Sequence, residues 1–468
     1  MDILDQLREI VGQTHVLNGD DAERYSADWL KQYHWTPLAV VRPSSTDAVA
    51  RVVAFADQNK LSIVPMGGNT GLTGATRAQD CIVISLERMS KIREIRKDAK
   101  IAIVEAGAIL SNVHSAVDDQ DLVFPLTFGA KGSATIGGVI GTNAGGSNVL
   151  RYGNTRDLIL GLEVVTPKGQ VMDLMSELHK DNSGYNLRNL IIGAEGSLGI
   201  VTAAVLKLAT KPRAYATAMV AVRSLADALR LLNDLQASTG GAVEAFEYMP
   251  KAYIDRHLDK IPGARAPFDD SHDINIMVEV GTTIPAMAKS DDKGQTIIVS
   301  ELQSILEGMF EDGAVIDAVV AQNEAQRREM WERREAAAEL TLSLPNLINN
   351  DVAVPLDQVE NFLVVADKKV ASVDAAARTF VVAHLGDGNI HYSVSASRND
   401  PDLKDTIMEA VEDVVLDFKG SFSAEHGIGT SKLSSMRRRK DAVSIEMMRQ
   451  IKNAIDPNGT LNPGKLLP

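Results

Sequence analysis

The sequence reads as a mixed α and β protein, α/β or α+β, of at least two domains. Three observations predict this. From Leu38 onward, short apolar runs (Leu38–Val41, Leu61–Val64, Cys81–Ile84, Ala102–Glu105) alternate with helical stretches such as Thr46–Asn59. That is the texture of strands interleaved with helices. Glycine is concentrated at 67–74, 129–153 and 184–199. Glycine admits positive φ and close backbone approach, so such density points to loops moulded on a ligand. Near Lys211–Arg213 those loops stop and a different pattern begins.

Taken in order, residues 1–35 read as a polar N-terminal helix that opens a first domain of 1–210. A second domain, 211–420, carries strands at Ala218–Val222 and Ile274–Val280. Its helical patterns lie at Leu225–Ala237, Gln295–Met309 and Asn323–Leu342. Pro262–His272, with its Gly, Pro and Asp residues, reads as an exposed loop. A last segment, 421–468, returns to glycine loops, adds a helix at Ser444–Ile455 and ends in Asn/Pro/Gly turns. No internal repeat is visible.

Composition narrows the function. The chain has 468 residues, 45% of them hydrophobic and 24% charged, ordinary for a globular protein. With 48 basic and 62 acidic side chains the net charge is −14. An acidic surface repels phosphate backbones, and 4% aromatics leave few stacking platforms, so nucleic acid is disfavoured as a partner. Cys81 is the single cysteine. It excludes an intramolecular disulfide and any multi-cysteine metal cluster. A reducing, cytoplasmic location is the expectation, a mitochondrial matrix form being compatible. The N-terminus lacks the pattern of a secretory signal, and no apolar run approaches the ~20 residues that cross a bilayer.

The first glycine segment, Gly67-Gly68-Asn69-Thr70-Gly71-Leu72-Thr73-Gly74, follows a predicted strand. Its backbone N–H groups and hydroxyls can form a nest for a pyrophosphate. A Walker loop would need Gly-Lys-Ser/Thr at its end, and a G-x-G-x-x-G is absent from the whole chain, so the usual phosphate motifs do not fit. An ordinary turn-rich connection would explain one such loop. Two more, Gly132–Gly146 and Gly193–Val201, imply an extended ligand gripped through the backbone. In order and spacing, "VVRPSSTDAVARVVAFADQNKLSIVPMGGNTGLTGAT", "SATIGGVIGTNAGGSNVLRYGNTRDLILGLEVVTPKG" and "GAEGSLGIVT" resemble the FAD domain of the vanillyl-alcohol-oxidase/PCMH flavoproteins. The resemblance implies FAD, with its pyrophosphate on Gly67, Gly68, Asn69, Thr70, Gly71 and Leu72. It places Ser133, Thr135, Gly137, Gly138, Thr142, Asn143, Gly145 and Gly146 on the flavin side, and Glu195, Gly196, Gly199, Ile200 and Val201 along the cofactor. Asn389 and Asn462 complete the set. Some relatives bond FAD covalently through His or Cys. The first loop has no His and Cys81 sits in an apolar run, so non-covalent FAD is expected.

His384 and His391 bracket Leu385-Gly386-Asp387-Gly388-Asn389-Ile390. Asp-Gly between two apolar runs signals a hairpin. Residues seven apart on one straight strand would face opposite ways, whereas across a hairpin both imidazoles can face one side. Glu425-His426 follows, before Gly427-Ile428-Gly429. Two histidines and a carboxylate can hold Zn²⁺, Mn²⁺ or Fe²⁺ with positions left open; alone, such a pair would more often only satisfy a hairpin. "HLGDGNIH", "SAEHGIGTSK" and "DPNGTLNPGKLLP" resemble the FAD-dependent D-2-hydroxy-acid dehydrogenases, a group that includes D-lactate, D-2-hydroxyglutarate and glycolate dehydrogenases. The resemblance covers nearly the whole chain, loosely at 215–320. It implies an α+β protein: a PCMH-type FAD domain, an antiparallel-sheet substrate or cap domain, and a C-terminal segment returning to the FAD domain. It implies metal ligands at His384, His391 and Glu425, zinc being the leading ion, and a base at His426.

The implied chemistry is oxidation of a 2-hydroxy acid to the 2-oxo acid, with the hydroxyl proton passing to His426 and hydride to the flavin. "WERRE" resembles the family's W-x-x-R-E, which maps Arg334 onto the substrate carboxylate; Arg327, Arg328 and Arg333 then read as a solvated face. Many relatives carry Lys two residues before the Asp of D-V-x-V-P, where this chain has Asn349. That disfavours a dicarboxylate. Ser393, two residues past His391, is a further substrate candidate. Arg437–Lys440 reads as a solvated helix face rather than a docking patch. The implied partner is an electron acceptor of the electron-transfer-flavoprotein, quinone or cytochrome class, and the assembly is open, a homodimer among the options. The competing readings are an O₂-using oxidase of this fold, a non-redox enzyme like alkyl-glycerone-phosphate synthase, and a non-catalytic flavin-binding module.

Overall fold

The computed structural model describes residues 2–292 and 294–468. It divides into two compact units. The first comprises residues 1–145, 153–210 and 425–468, and the second 146–152 and 211–424. The fold is α+β.

The first unit contains β1 (Val16–Leu17), β2 (Ala39–Val41), β3 (Ile63–Met66), β4 (Ile82–Ser85), β5 (Ile92–Arg96), β6 (Ile101–Glu105), β7 (Leu122–Val123), β8 (Ile159–Val165), β9 (Val171–Leu174), β10 (Ile200–Lys207) and β11 (Ala209–Thr210). One sheet runs β1-β2-β4-β3, with β2, β4 and β3 parallel. A second, antiparallel sheet runs β5-β6-β10-β8-β9. The helix Thr46–Gln58 is the crossover between β2 and β3, which flank β4 in parallel, and Ser45 caps it by accepting the Ala48 N–H. The C-terminal segment closes on this unit: the Ile63 N–H donates to Thr460 O, and the Asn462 N–H to Ile63 O, each at 2.7 Å.

One expectation is corrected here. The N-terminal helix spans only Ile3–Val11. Gly12, at φ 95°, ends it, and 3-10 turns at Gln13–His15 and Gly19–Tyr25 follow. The polar composition that suggested a long helix lacks the apolar stripe that would hold one against a core.

The second unit contains β12 (Ala214–Val222), β13 (Val243–Pro250), β14 (Ile274–Thr282), β15 (Val315–Val320), β16 (Leu347–Ala353), β17 (Arg378–His384) and β18 (Asn389–Ser395). They form one antiparallel sheet in the order β15-β12-β14-β13-β17-β18-β16. Side chains alternate across it. One face, with Val220, Phe246, Val278, Ile348, Val352, Ile390, Tyr392 and Val394, forms a large apolar core. The other packs Met219, Ala245, Met249, Met277, Phe380 and Val382 with residues of the helices Lys251–Lys260, Glu324–Glu335 and Ala337–Leu342. Those last two helices are the single helical run expected at Asn323–Leu342, divided at Ala336.

Candidate active site

In the first unit the glycine loop is built to present its backbone. Among the described residues, the N–H groups of Gly68, Asn69, Thr70 and Gly71 meet no protein acceptor. Asn69 takes the left-handed conformation, at φ 53°, and its side chain is held by Ala27 O and by the Thr76 hydroxyl. A consecutive row of unclaimed donors on a fixed loop suits a phosphate anion. Glycine is obligatory where this loop meets the second: a Cβ on Gly68 would lie 2.0 Å from Ser133 O, and one on Gly67 2.4 Å from Thr135 Oγ1. Thr135 caps the short helix Ile136–Thr142 by accepting the Gly138 N–H, and Asn143 ends that helix at φ 52°. Gly137 packs on Ala106 and Gly199 on Val164, so close approach demands glycine there, while Gly196 needs it both for its approach to Pro65 and for its φ of 71°. Ile200 and Val201 are buried in β10. Asn462 is 2% exposed; its amide donates to Ala75 O and Glu195 O while its Oδ1 has no protein partner. An orphaned buried acceptor beside these loops fits a polar ligand. Cys81 is buried in the apolar cluster of Val40, Val64 and Val83.

Glu195 does more than line a loop. Its carboxylate accepts the N–H of Ile428 at 2.6 Å and of Gly429 at 2.8 Å. Burial pushes this carboxyl up, and the two N–H donors and Lys432 pull against that. Thr73 of the first loop holds the same stretch from another side: its hydroxyl donates to His426 O at 3.3 Å, and its carbonyl accepts the N–H of Thr430 at 2.9 Å. The backbone after Glu425-His426 is thus fixed by two of the three glycine-rich loops.

In the second unit the strand register gathers the remaining residues. β17 and β18 pair with Val382 opposite His391 and His384 opposite Asn389, so both imidazoles stand on one face, their centroids 5.3 Å apart. The neighbouring strands set a buried acid opposite each: Glu247 of β13 pairs with His384, and Asp351 of β16 with His391. His384 Nδ1 lies 2.9 Å from the Glu247 carboxylate, and His391 Nδ1 3.6 Å from Asp351. Asn389 donates to Asp351 at 2.9 Å, its own Oδ1 unpartnered. One pair further out on this face, Asn349 stands opposite Ser393, whose hydroxyl donates to it at 3.2 Å. The Ala424 N–H donates to Asp351 O at 3.1 Å, so the chain enters Glu425-His426 from the edge of β16. Asp351 and His391 offer the donor chemistry for a metal ion, Glu425 and His426 of the first unit are donors of the same kinds, and His384 is outside that set.

Arg334 is 7% exposed and donates from Nε to the Glu247 carboxylate at 2.6 Å. Glu247 is fully buried. Burial would raise its pKa, yet His384 and Arg334 beside it, each hydrogen-bonded to the carboxylate, outweigh that and hold it at about 2. The other arginines correct the solvated-face reading. Arg327 binds Glu279 through two nitrogens at 2.7 Å, and Arg333 is buried and donates to Arg265 O; only Arg328 is exposed. On the helix Leu433–Arg439, likewise, Arg438 and Arg439 are half-buried and engaged.

Sequence reasoning missed Glu247, Asp351 and Thr73. The first two carried a usable signal: an acid inside an apolar alternating strand, Val243–Pro250 or Leu347–Ala353, is costly unless it is paired. Thr73 carried none beyond its place in the loop.

Comparisons with known proteins agree with this architecture. The chain matches the family described as "FAD linked oxidases, C-terminal domain" over residues 211–466 and "FAD binding domain" over 37–175. It is 36% identical to a D-2-hydroxyglutarate dehydrogenase of Xanthomonas citri pv. viticola, over 95% of this chain and 92% of that one. It is 33% identical to the mitochondrial D-2-hydroxyglutarate dehydrogenase of Arabidopsis thaliana, over 98% of this chain and 80% of that one. Among solved structures it is similar in fold to an alkyldihydroxyacetonephosphate synthase, with a TM-score of 0.71 at 19% identity over 99% of this chain and 85% of that one. Among the described residues no helix is long and apolar enough to cross a membrane.

Proposed function

The chain belongs to the FAD-dependent D-2-hydroxy-acid dehydrogenase family, and from that premise we propose how its own residues carry out the oxidation of a D-2-hydroxy acid to the 2-oxo acid. The observation that carries the reading is the helix-covered face of the second unit's sheet, where His384 and His391 stand together, each with a buried acid opposite.

FAD, when bound, supplies the hydride acceptor, and a divalent metal, zinc foremost with manganese or iron as alternatives, supplies a Lewis acid for the substrate hydroxyl. The loops at 67–72, 133–146 and 195–201, with Asn462, are the residues proposed to hold FAD, non-covalently. The unclaimed N–H row and the orphaned Asn462 oxygen support this. His384, His391 and Glu425 are the proposed metal ligands, with Asp351 a further donor. Each imidazole backed by a carboxylate fits that role. His426 is the proposed base: it takes the hydroxyl proton from O2, an imidazole being suited to proton transfer near neutral pH. Arg334, pinned through Nε, offers the rest of its guanidinium to the substrate carboxylate, where two parallel hydrogen bonds fix orientation.

The relatives are named for D-2-hydroxyglutarate, whose far end is a second carboxylate. On this chain the Asn349–Ser393 pair is neutral. The substrate proposed is therefore a D-2-hydroxy acid with an uncharged distal group. The electron acceptor proposed is an electron-transfer flavoprotein, a quinone or a cytochrome. The test is anaerobic addition of D- and L-2-hydroxy acids to the yellow holoenzyme. A D-monocarboxylate should bleach the flavin and its L-enantiomer should not; no bleaching by any 2-hydroxy acid would overturn the reading. Admitting air to the bleached enzyme then separates dehydrogenase from oxidase, and slow reoxidation is expected.

A further inference from the structure

We infer that Glu247 is a positioning residue with two dependants: it orients His384 as a metal ligand and, with the same carboxylate, orients Arg334 as the substrate-carboxylate anchor. This rests on the roles proposed above for those two residues.

Glu247 reaches both through the register of the sheet. It pairs directly with His384 across β13 and β17 and points to the face that also carries His391. It is 0% exposed. A carboxylate wholly removed from water is tolerated only when paired, and its partners here are the His384 Nδ1 at 2.9 Å and the Arg334 Nε at 2.6 Å. A neutral imidazole that donates Nδ1–H to a carboxylate keeps the lone pair on Nε2, so Glu247 sets which nitrogen of His384 faces an ion. The Arg334 terminal nitrogen lies 3.4 Å from both ring nitrogens of His384. It is therefore packed against the ring rather than aimed at one nitrogen. The three side chains form one block, in which loss of the central charge releases both outer groups.

The plainer alternative is an ion pair that only fastens the helix Glu324–Glu335 to the sheet. The same helix provides the comparison. Glu279 of β14 is 2% exposed and is bound by Arg327 through two nitrogens, by Trp331 Nε1 and by Thr217 Oγ1. That set includes no residue with a proposed site role. Glu279 is thus a fastening acid on the same face, and Glu247 is distinguished from it by what it touches.

The experiment titrates Mn²⁺ into chelator-stripped, FAD-loaded enzyme and measures steady-state kinetics with the best D-2-hydroxy acid after metal is restored. Glu247→Gln should weaken Mn²⁺ binding about 10- to 100-fold, the range for losing the carboxylate behind a ligating imidazole. It should also raise KM at least ~10-fold through Arg334, an effect of the size expected for a misplaced charge-assisted contact. Glu279→Gln should lower Tm and leave both quantities at wild-type values. Because Glu247→Gln leaves Arg334 a buried charge without its acid, the double variant Glu247→Gln/Arg334→Gln is measured beside Arg334→Gln alone. The double variant should show the weakened Mn²⁺ affinity and Arg334→Gln alone should not. A folded Glu247→Gln, or a folded double variant, that binds Mn²⁺ as tightly as wild type would overturn the inference while leaving the proposed reaction standing. Wild-type enzyme that binds no divalent ion would overturn both.

Discussion

Asn349 is the side chain proposed to set the substrate range. It stands opposite Ser393, one pair out from Asp351 and His391 on the same sheet face. An amide there accepts and donates hydrogen bonds but cannot neutralise a second carboxylate. Asn349→Lys should raise kcat/KM for D-2-hydroxyglutarate relative to a D-monocarboxylate by about 10-fold or more, a factor of ten being roughly 1.4 kcal/mol. An unchanged ratio would remove Asn349 from the substrate's distal end. His426 belongs to the same scale. A base that takes the hydroxyl proton contributes about 10²- to 10⁴-fold. His426→Asn should therefore slow anaerobic flavin reduction by that order, with FAD content and Tm little changed. A variant that bleaches at the wild-type rate would show that the proton leaves by another route. Neither role was legible from composition; both came from motif position, and register then added the acids beside the histidines.

At the scale of elements, the loop after His426 depends on the glycine loops of its own unit. Glu195 accepts the Ile428 and Gly429 N–H, and Thr73 holds the loop through its hydroxyl on His426 O and its carbonyl, which accepts the Thr430 and Ser431 N–H. Gly429, at φ 52°, could not carry a Cβ, which would lie 2.2 Å from Thr73 O. Removing the Glu195 carboxylate strands two buried donors, each costing about 1–3 kcal/mol. Glu195→Gln, which can accept but carries no charge, should cut kcat more than it raises KM, with FAD retained. If FAD is lost and kcat per bound flavin is unchanged, Glu195 serves the cofactor loop alone. Gly68→Ala is the complementary change: its methyl would meet Ser133 O at 2.0 Å, so the purified protein should carry markedly less flavin, read as absorbance per chain. The hairpin was legible because Asp-Gly between apolar runs fixes both the turn and the facing of the histidines. The break at Ala336 and the short N-terminal helix were not, since composition marks where helix is tolerated and packing decides how far it runs.

For the whole molecule, the sequence disclosed the fold class through the change of texture near residue 211 and the glycine clusters before it. Glu247, His384 and Asp351 are more than 100 residues apart at the extremes, yet lie on neighbouring or nearby strands of one sheet. Local patterns do not report strand order, so this convergence could be read only from the structure. Arg327 and Arg333, taken as solvated, were misread for the same reason: a charged helix face looks alike in sequence whether it meets water, as Arg328 does, or a buried partner such as Glu279. The claim on which the rest turns is that hydroxy-acid oxidation needs both the loops of the first unit and an ion on the histidine face of the second. The direct measurement is anaerobic flavin reduction by the preferred D-2-hydroxy acid, before chelator treatment, after it, and after Zn²⁺ or Mn²⁺ is returned. The prediction is rapid bleaching, then a loss of about 100-fold or more at constant FAD content, then recovery, in line with a metal's share of several kcal/mol in such steps. Bleaching at an unchanged rate in metal-free, FAD-loaded protein would contradict it.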